Sequence, residues 1–176
     1  MGSKGLSCFH VKKGTPGFSI GKIENKMGIR SAQVSELVFE NCEIPETALL
    51  GEEKQGFKIA MKTLDGGRIG IAAQALGIAE GAFDATVKYV KERKQFGRTI
   101  GQFQNTQFQL SDMATKIEAA KMLVYKAAMA KATQNSYSVE AAMAKLYAAR
   151  TAMEVTEKAV QLHGGGGDFS RKGVGG

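Results

Sequence analysis

The sequence has no tryptophan, and only two prolines and two cysteines among its 176 residues. So few prolines leave long helices uninterrupted, because an interior proline removes a backbone donor and clashes with the preceding turn. Cys8 and Cys42 show neither metal-ligand nor redox spacing, which excludes a disulfide framework and leaves no metal site to assign. No apolar run approaches the roughly 20 residues that span a bilayer, so no membrane span is expected. Met1-Gly2-Ser3-Lys4-Gly5 has no apolar signal core. A reducing setting follows, either a bacterial cytoplasm or a mitochondrial matrix.

What is abundant points to helix and a real core. Hydrophobic residues make up 43% of the chain, and a chain of about 150 residues buries roughly 68–70% of its unfolded surface. Twenty-four Lys and Arg against seventeen Asp and Glu give a net charge of +7. The cations are spread and interleaved with glutamate, even in the densest patch, Lys88-Tyr89-Val90-Lys91-Glu92-Arg93-Lys94. With no zinc-finger spacing, aromatic RNA-binding cluster or basic tail, no nucleic-acid partner is expected. Most of these charges are read as a solvated helix face, with room for a phosphate-bearing ligand at a few of them.

The chain changes texture near residue 50. Leu6–Val11 and Glu36–Phe39 are short apolar runs, and Gly14-Thr15-Pro16-Gly17 is a turn between candidate strands. Residues 1–50 therefore read as a few antiparallel strands with exposed edges. From Gly56 the period becomes helical. Phe57, Met61, Leu64, Ile71, Leu76, Phe83, Val87 and Val90 mark the first helix, whose glycines are expected to let neighbouring helices approach. Leu110, Met113, Ile117, Ala120, Val124, Ala127 and Ala128 mark the second; Leu146, Met153 and Val160 mark the third. Ser138 suits its N-cap, and Glu140 its positive end. The expected fold is mainly α (α+β): a short antiparallel β segment, then three long antiparallel helices near 56–93, 102–134 and 138–163. Phe96-Gly97 and the stretch to Gly101 read as loop, and no strand is expected after residue 60. The domain reading is β over 1–50, an incomplete bundle over 51–167, and an unmatched tail over 168–176. The apolar groove left by three helices predicts association.

Three motifs stand out, each with an ordinary explanation when taken alone. Asp65 and Arg68 are three residues apart on one helix, the spacing of a surface ion pair. Arg93 to Gly97 has the cations and glycine of a helix end. Gln161-Leu162-His163-Gly164-Gly165-Gly166-Gly167 ends the third helix; one glycine explains a cap, whereas four in a row suggest backbone approach to a ligand.

Their order along the chain is specific. Lys13–Phe18, Met27-Gly28-Ile29-Arg30, Ile44-Pro45, Leu49–Glu52, Gly56-Phe57, Leu64–Arg68, Arg93–Gly97, Gln104–Phe108 and Gln161–Gly165 follow one another. Together they resemble an acyl-CoA dehydrogenase of the short-chain or butyryl-CoA branch, from about Lys4 to Gly167. The resemblance implies the end of a middle β domain followed by most of a C-terminal helical domain. It implies FAD as cofactor, with Arg93, Phe96, Gln104, Gln161, Leu162, His163, Gly164 and Gly165 against its adenosine diphosphate half, usually in a neighbouring subunit. It places Asp65, Gly66, Gly67 and Arg68 at an acyl-CoA substrate, Arg68 near the pantetheine or thioester end. It further implies α,β-dehydrogenation of a short-chain acyl-CoA, a homodimer or homotetramer, and electron-transferring flavoprotein as acceptor. The family's catalytic glutamate lies in a Tyr-Glu-Gly-Thr motif, which this sequence does not contain, or immediately before the substrate-helix arginine, where Gly67 stands. No catalytic residue is therefore assigned. The alternative is a non-catalytic helical oligomerisation or regulatory fragment of the same descent.

Overall fold

The computed structural model describes residues 2–167, so the tail expected over 168–176 lies outside the described residues. The chain divides into two compact units, Met1–Lys62 and Thr63–Gly176. In the first, strands β1 (Cys8–Phe9) and β4 (Leu49–Leu50) pair antiparallel, as do β2 (Phe18–Ile23) and β3 (Ser35–Phe39). Phe18 lies opposite Phe39, their rings stacked at 5.0 Å, and the register slips between Ile20 and Ile23.

Helix α1 runs Gly56–Glu92, α2 Gln104–Thr133 and α3 Ser138–His163. In the second unit, α2 and α3 make the closest backbone approach. The core explains why: Ala120 and Ala127 on α2 meet Ala144, Ala148, Ala152 and Ala159 on α3, with Met113, Ile117, Val124 and Val155 filling between them. Alanine lets helix axes come near, since the side chains at the contact set the spacing. From α1, Ala72, Leu76 and Ala79 are buried in this cluster, with Phe83 packed on it. None of the described helices is long and apolar enough to cross a membrane.

Several expectations are corrected here. The large residues Leu146 and Met153, expected to line the inner face of α3, point outward, Met153 being 72% exposed. The buried face of α3 is instead Ala141, Ala144, Ala148, Thr151, Ala152, Val155, Ala159 and His163. Likewise Phe57, Met61, Leu64 and Ile71 of α1 are exposed, while Leu76 and Val90 are buried. The expected stripe thus combined two faces of one helix. On α2 the expected positions hold except Ala128, which is exposed; Ala130 is buried in its stead. Four of the α1 glycines do not seat another helix: a Cβ at Gly67, Gly70, Gly77 or Gly81 would meet nothing within 4 Å. Ser138 is not the N-cap of α3; Tyr137 takes that position without a side-chain cap, and Ser138 is the first helical residue.

Strands also occur after residue 60, contrary to expectation. Lys94–Gln95 (β5) pairs antiparallel with Arg98–Thr99 (β6) around Phe96-Gly97. Both turn residues have positive φ, 52° and 79°, the conformation of a two-residue hairpin turn whose twist matches that of its strands. The mainly helical fold class is unaffected, because each strand is two residues long.

Candidate functional site

Antiparallel helices bring chain termini together in alternation. The end of α1, the start of α2 and the end of α3 therefore share one end of the bundle, and every residue expected at the cofactor lies there. Arg93 follows the last residue of α1; its N–H donates to Tyr89 O at 2.9 Å, and its carbonyl accepts from Ile100 N at 2.9 Å. The Arg93 side chain is exposed, in a turn also carrying Lys91, Lys94 and Arg98. Phe96 tops the hairpin, 91% exposed, at a positive φ that an aromatic residue rarely adopts. Its ring meets Phe103 edge-on at 6.4 Å, and Arg98 lies 4.1 Å above the Phe103 centroid, a cation–π arrangement.

Gln104 opens α2, whose N-cap, Phe103, provides no side-chain acceptor. The first N–H groups of a helix are an anion-binding feature when left uncapped. Gln107 Nε2 donates to Gly101 O at 3.1 Å, tying the entry segment to the helix it precedes.

The end of α3 is anchored by His163. Its ring stacks on Tyr89 at 4.2 Å, and Tyr89 Oη donates to His163 O at 3.3 Å. His163 is buried, and Nδ1 lies 2.8 Å from Ala159 O. A carbonyl only accepts, so Nδ1 carries the hydrogen. The His163 side chain therefore faces inward, while Gln161 and the backbone of Gly164 and Gly165 face outward; Leu162 is packed on the core. Gly164 has φ 57° and ψ −141°, a region essentially confined to glycine. At Gly165 a Cβ would meet nothing within 4 Å, so the backbone is open to a neighbour.

Asp65, Gly66, Gly67 and Arg68 lie near the opposite end. From Arg68 to Glu92 the helix covers about 36 Å, so one bundle does not bring the two expected sets to one ligand atom. Asp65 accepts from Arg68 Nη1 through Oδ1 and from Ser138 Oγ through Oδ2. The ordinary ion-pair reading of Asp65 and Arg68 is thus realised, with a third member. A Cβ on Gly66 would lie 3.5 Å from Lys131 Nζ and 3.8 Å from Tyr137 Oη. Sequence reasoning missed Lys131, Tyr137 and Ser138 as neighbours of this turn, since they come from the end of α2, the connection after it and the start of α3. The signal that was available, a serine before an apolar run, pointed to capping instead. A capping serine accepts a backbone N–H through its oxygen; Ser138, already inside the helix, instead donates its hydroxyl hydrogen to the Asp65 carboxylate.

Along the flank, Lys116 Nζ contacts Glu154 at 2.6 Å and Asp112 at 3.0 Å, and Lys121 Nζ contacts Glu80 at 2.7 Å and Glu118 at 3.3 Å. Hydrogen bonds to Glu154 and Asp112 hold Lys116 above the usual lysine range; those to Glu80 and Glu118 do the same for Lys121. No metal-binding cluster of His, Cys, Asp or Glu occurs among the described residues.

Residues 54–172 match the pattern described as acyl-CoA dehydrogenase, C-terminal domain. The short-chain specific acyl-CoA dehydrogenase of Clostridium acetobutylicum is 58% identical over 166 residues, covering 94% of this chain and 44% of its own length. Butyryl-CoA dehydrogenase from Megasphaera elsdenii superposes with a TM-score of 0.94 at 52% identity, over 97% of this chain and 44% of that one. A chain from the structural work on the electron transferring flavoprotein of Acidaminococcus fermentans and flavin-based electron bifurcation gives a TM-score of 0.93 at 61% identity, over 96% and 44%. The chain thus spans less than half the length of these relatives.

Proposed function

The chain belongs to the acyl-CoA dehydrogenase family, and from that membership we propose FAD-dependent α,β-dehydrogenation of a short-chain acyl-CoA thioester as its function. The observation that carries the reading is the division of the bundle into two unlike ends. One gathers an exposed guanidinium, an exposed aromatic ring, an uncapped helix N-terminus and open glycine backbone. These suit a dinucleotide: the guanidinium and N–H groups address pyrophosphate oxygens, and the backbone can approach closely. Arg93, Phe96, Gln104, Gln161, Leu162, Gly164 and Gly165 would hold the adenosine diphosphate half of FAD, with His163 anchoring the segment from within. Bound FAD supplies a hydride acceptor.

The other end, Asp65 to Arg68, would take the pantetheine or thioester portion of the acyl-CoA. No residue described here is assigned the α-proton: Gly67 brings no carboxylate, and both oxygens of Asp65 are engaged. We assign residues 1–50 to the family's β domain and 51–167 to its helical domain. The roughly 36 Å between the two ends favours a neighbouring subunit as the owner of the FAD that Arg93 meets, hence a homodimer or homotetramer. Electron-transferring flavoprotein is the proposed electron acceptor, supported by the Acidaminococcus likeness. The two free cysteines suit a cytoplasmic or mitochondrial compartment.

The visible spectrum tests this reading. Protein reconstituted with FAD should absorb in the blue and bleach on addition of butyryl-CoA. Colourless protein that takes up no FAD would overturn it.

A further inference from the structure

We infer that Ser138 is a positioning residue for Arg68, acting through Asp65 to keep the free edge of the guanidinium turned toward a neutral carbonyl acceptor. The inference rests on the acyl-CoA reading and adds to it a residue from another helix, 73 positions away in sequence. Asp65 has two acceptor oxygens, and the structure uses both: Oδ1 for Arg68 Nη1 and Oδ2 for Ser138 Oγ. With one oxygen bound to the start of α3, the carboxylate cannot rotate freely on α1, so the nitrogen it holds is fixed as well. The Asp65 side chain is 15% exposed and that of Arg68 44%. The anion is thus set in, while the guanidinium extends into solvent with Nε and Nη2 still to donate.

Charge selects the ligand chemistry. Asp65 neutralises Arg68 at contact distance, which weakens its attraction for a phosphate while leaving planar N–H donors suited to an amide or thioester oxygen. Lys131 of α2 and Tyr137 of the α2–α3 connection reach the same turn, at ordinary contact distance from where a Cβ on Gly66 would stand.

The alternative role for Ser138 is purely structural: tying the start of α3 to α1. Titration calorimetry with butyryl-CoA and with butyryl-pantetheine, which lacks the nucleotide phosphates, separates the two. Ser138→Ala should weaken both probes by about tenfold, the scale of a hydrogen bond to a charged group. Ser138→Thr, which keeps the hydroxyl, should restore most of the affinity. An S138A protein that melts lower yet binds both probes like wild type would overturn the inference, as would a loss confined to butyryl-CoA. Nitrogen-15 NMR of the Arg68 guanidinium provides a ligand-free measure: hindered Nη rotation in wild type, released in S138A. Should wild type bind neither probe, the acyl-CoA reading fails; the NMR comparison then decides the positioning role alone, upheld by that release and overturned by equal rotation.

Discussion

Arg93 is the side chain on which the cofactor assignment depends most. It stands one residue past α1, exposed, with its backbone bonded on both sides and its guanidinium outward. Arg93→Ala should weaken FAD binding by about 10- to 150-fold, the equivalent of roughly 1.5–3 kcal/mol for a charged hydrogen bond. Arg93→Lys should recover only part, because an ammonium cannot reproduce a bidentate guanidinium. The melting temperature should barely move, since the backbone bonds that terminate the helix are retained. Flavin fluorescence quenching measures all three affinities, and equal values would remove the cofactor role. The sequence alone placed Arg93 at a helix end; its expected part in binding came from the order of motifs, not from the residue. Ser138 was less legible still, because its partner Asp65 is distant in sequence and no spacing rule connects them. Phe96-Gly97 read as a loop because two-residue strands are too short to show a period of two.

At the scale of the helix, length and ends were readable while orientation was not. The glycine at 56, the break after 92 and the polar turn at 134–137 bound segments long enough for periodicity to define them. On α1 and α3, however, apolar residues occupy two faces, and a period does not tell which face meets a neighbour in the same chain. Alanine resolved this in the structure: α3 buries its alanines against α2 and turns Leu146 and Met153 outward. Ala148→Leu should therefore cost about 1–3 kcal/mol by overpacking, whereas Leu146→Ala should change the stability of the dissociated chain by less than about 0.5 kcal/mol; urea midpoints at concentrations low enough to keep the chain monomeric will compare them. The lysine clamps give a pH signature. Since the folded-state pKa values of Lys116 and Lys121 are raised, their stabilisation is fully present below the unfolded value and is lost as pH rises through the folded one. A Lys116→Met, Lys121→Met double variant should trail wild type by a constant margin at neutral pH. That margin should close in alkali, and also in high salt because the pairs are exposed. A margin unchanged at alkaline pH would show that the charges are not its source.

For the whole molecule, the outward apolar faces are the main consequence of that packing. Leu64, Ile71 and Ile78 on α1 and Val139, Met143, Leu146 and Met153 on α3 are all exposed, and exposed apolar stripes of this kind usually mark an interface. Light scattering at micromolar concentration should report an oligomer, and Leu146→Asp or Met153→Asp should lower its mass; a strictly monomeric wild type would refute this. The distance between the two ends of the bundle then acquires a thermodynamic meaning. If each chain grips through Arg93 a cofactor seated mainly in its neighbour, flavin retention and subunit association are linked equilibria. Each stabilises the other by mass action. Diluting a yellow preparation below its subunit dissociation constant, into buffer that holds free FAD constant, would then strip the flavin, and excess FAD would hold the oligomer together.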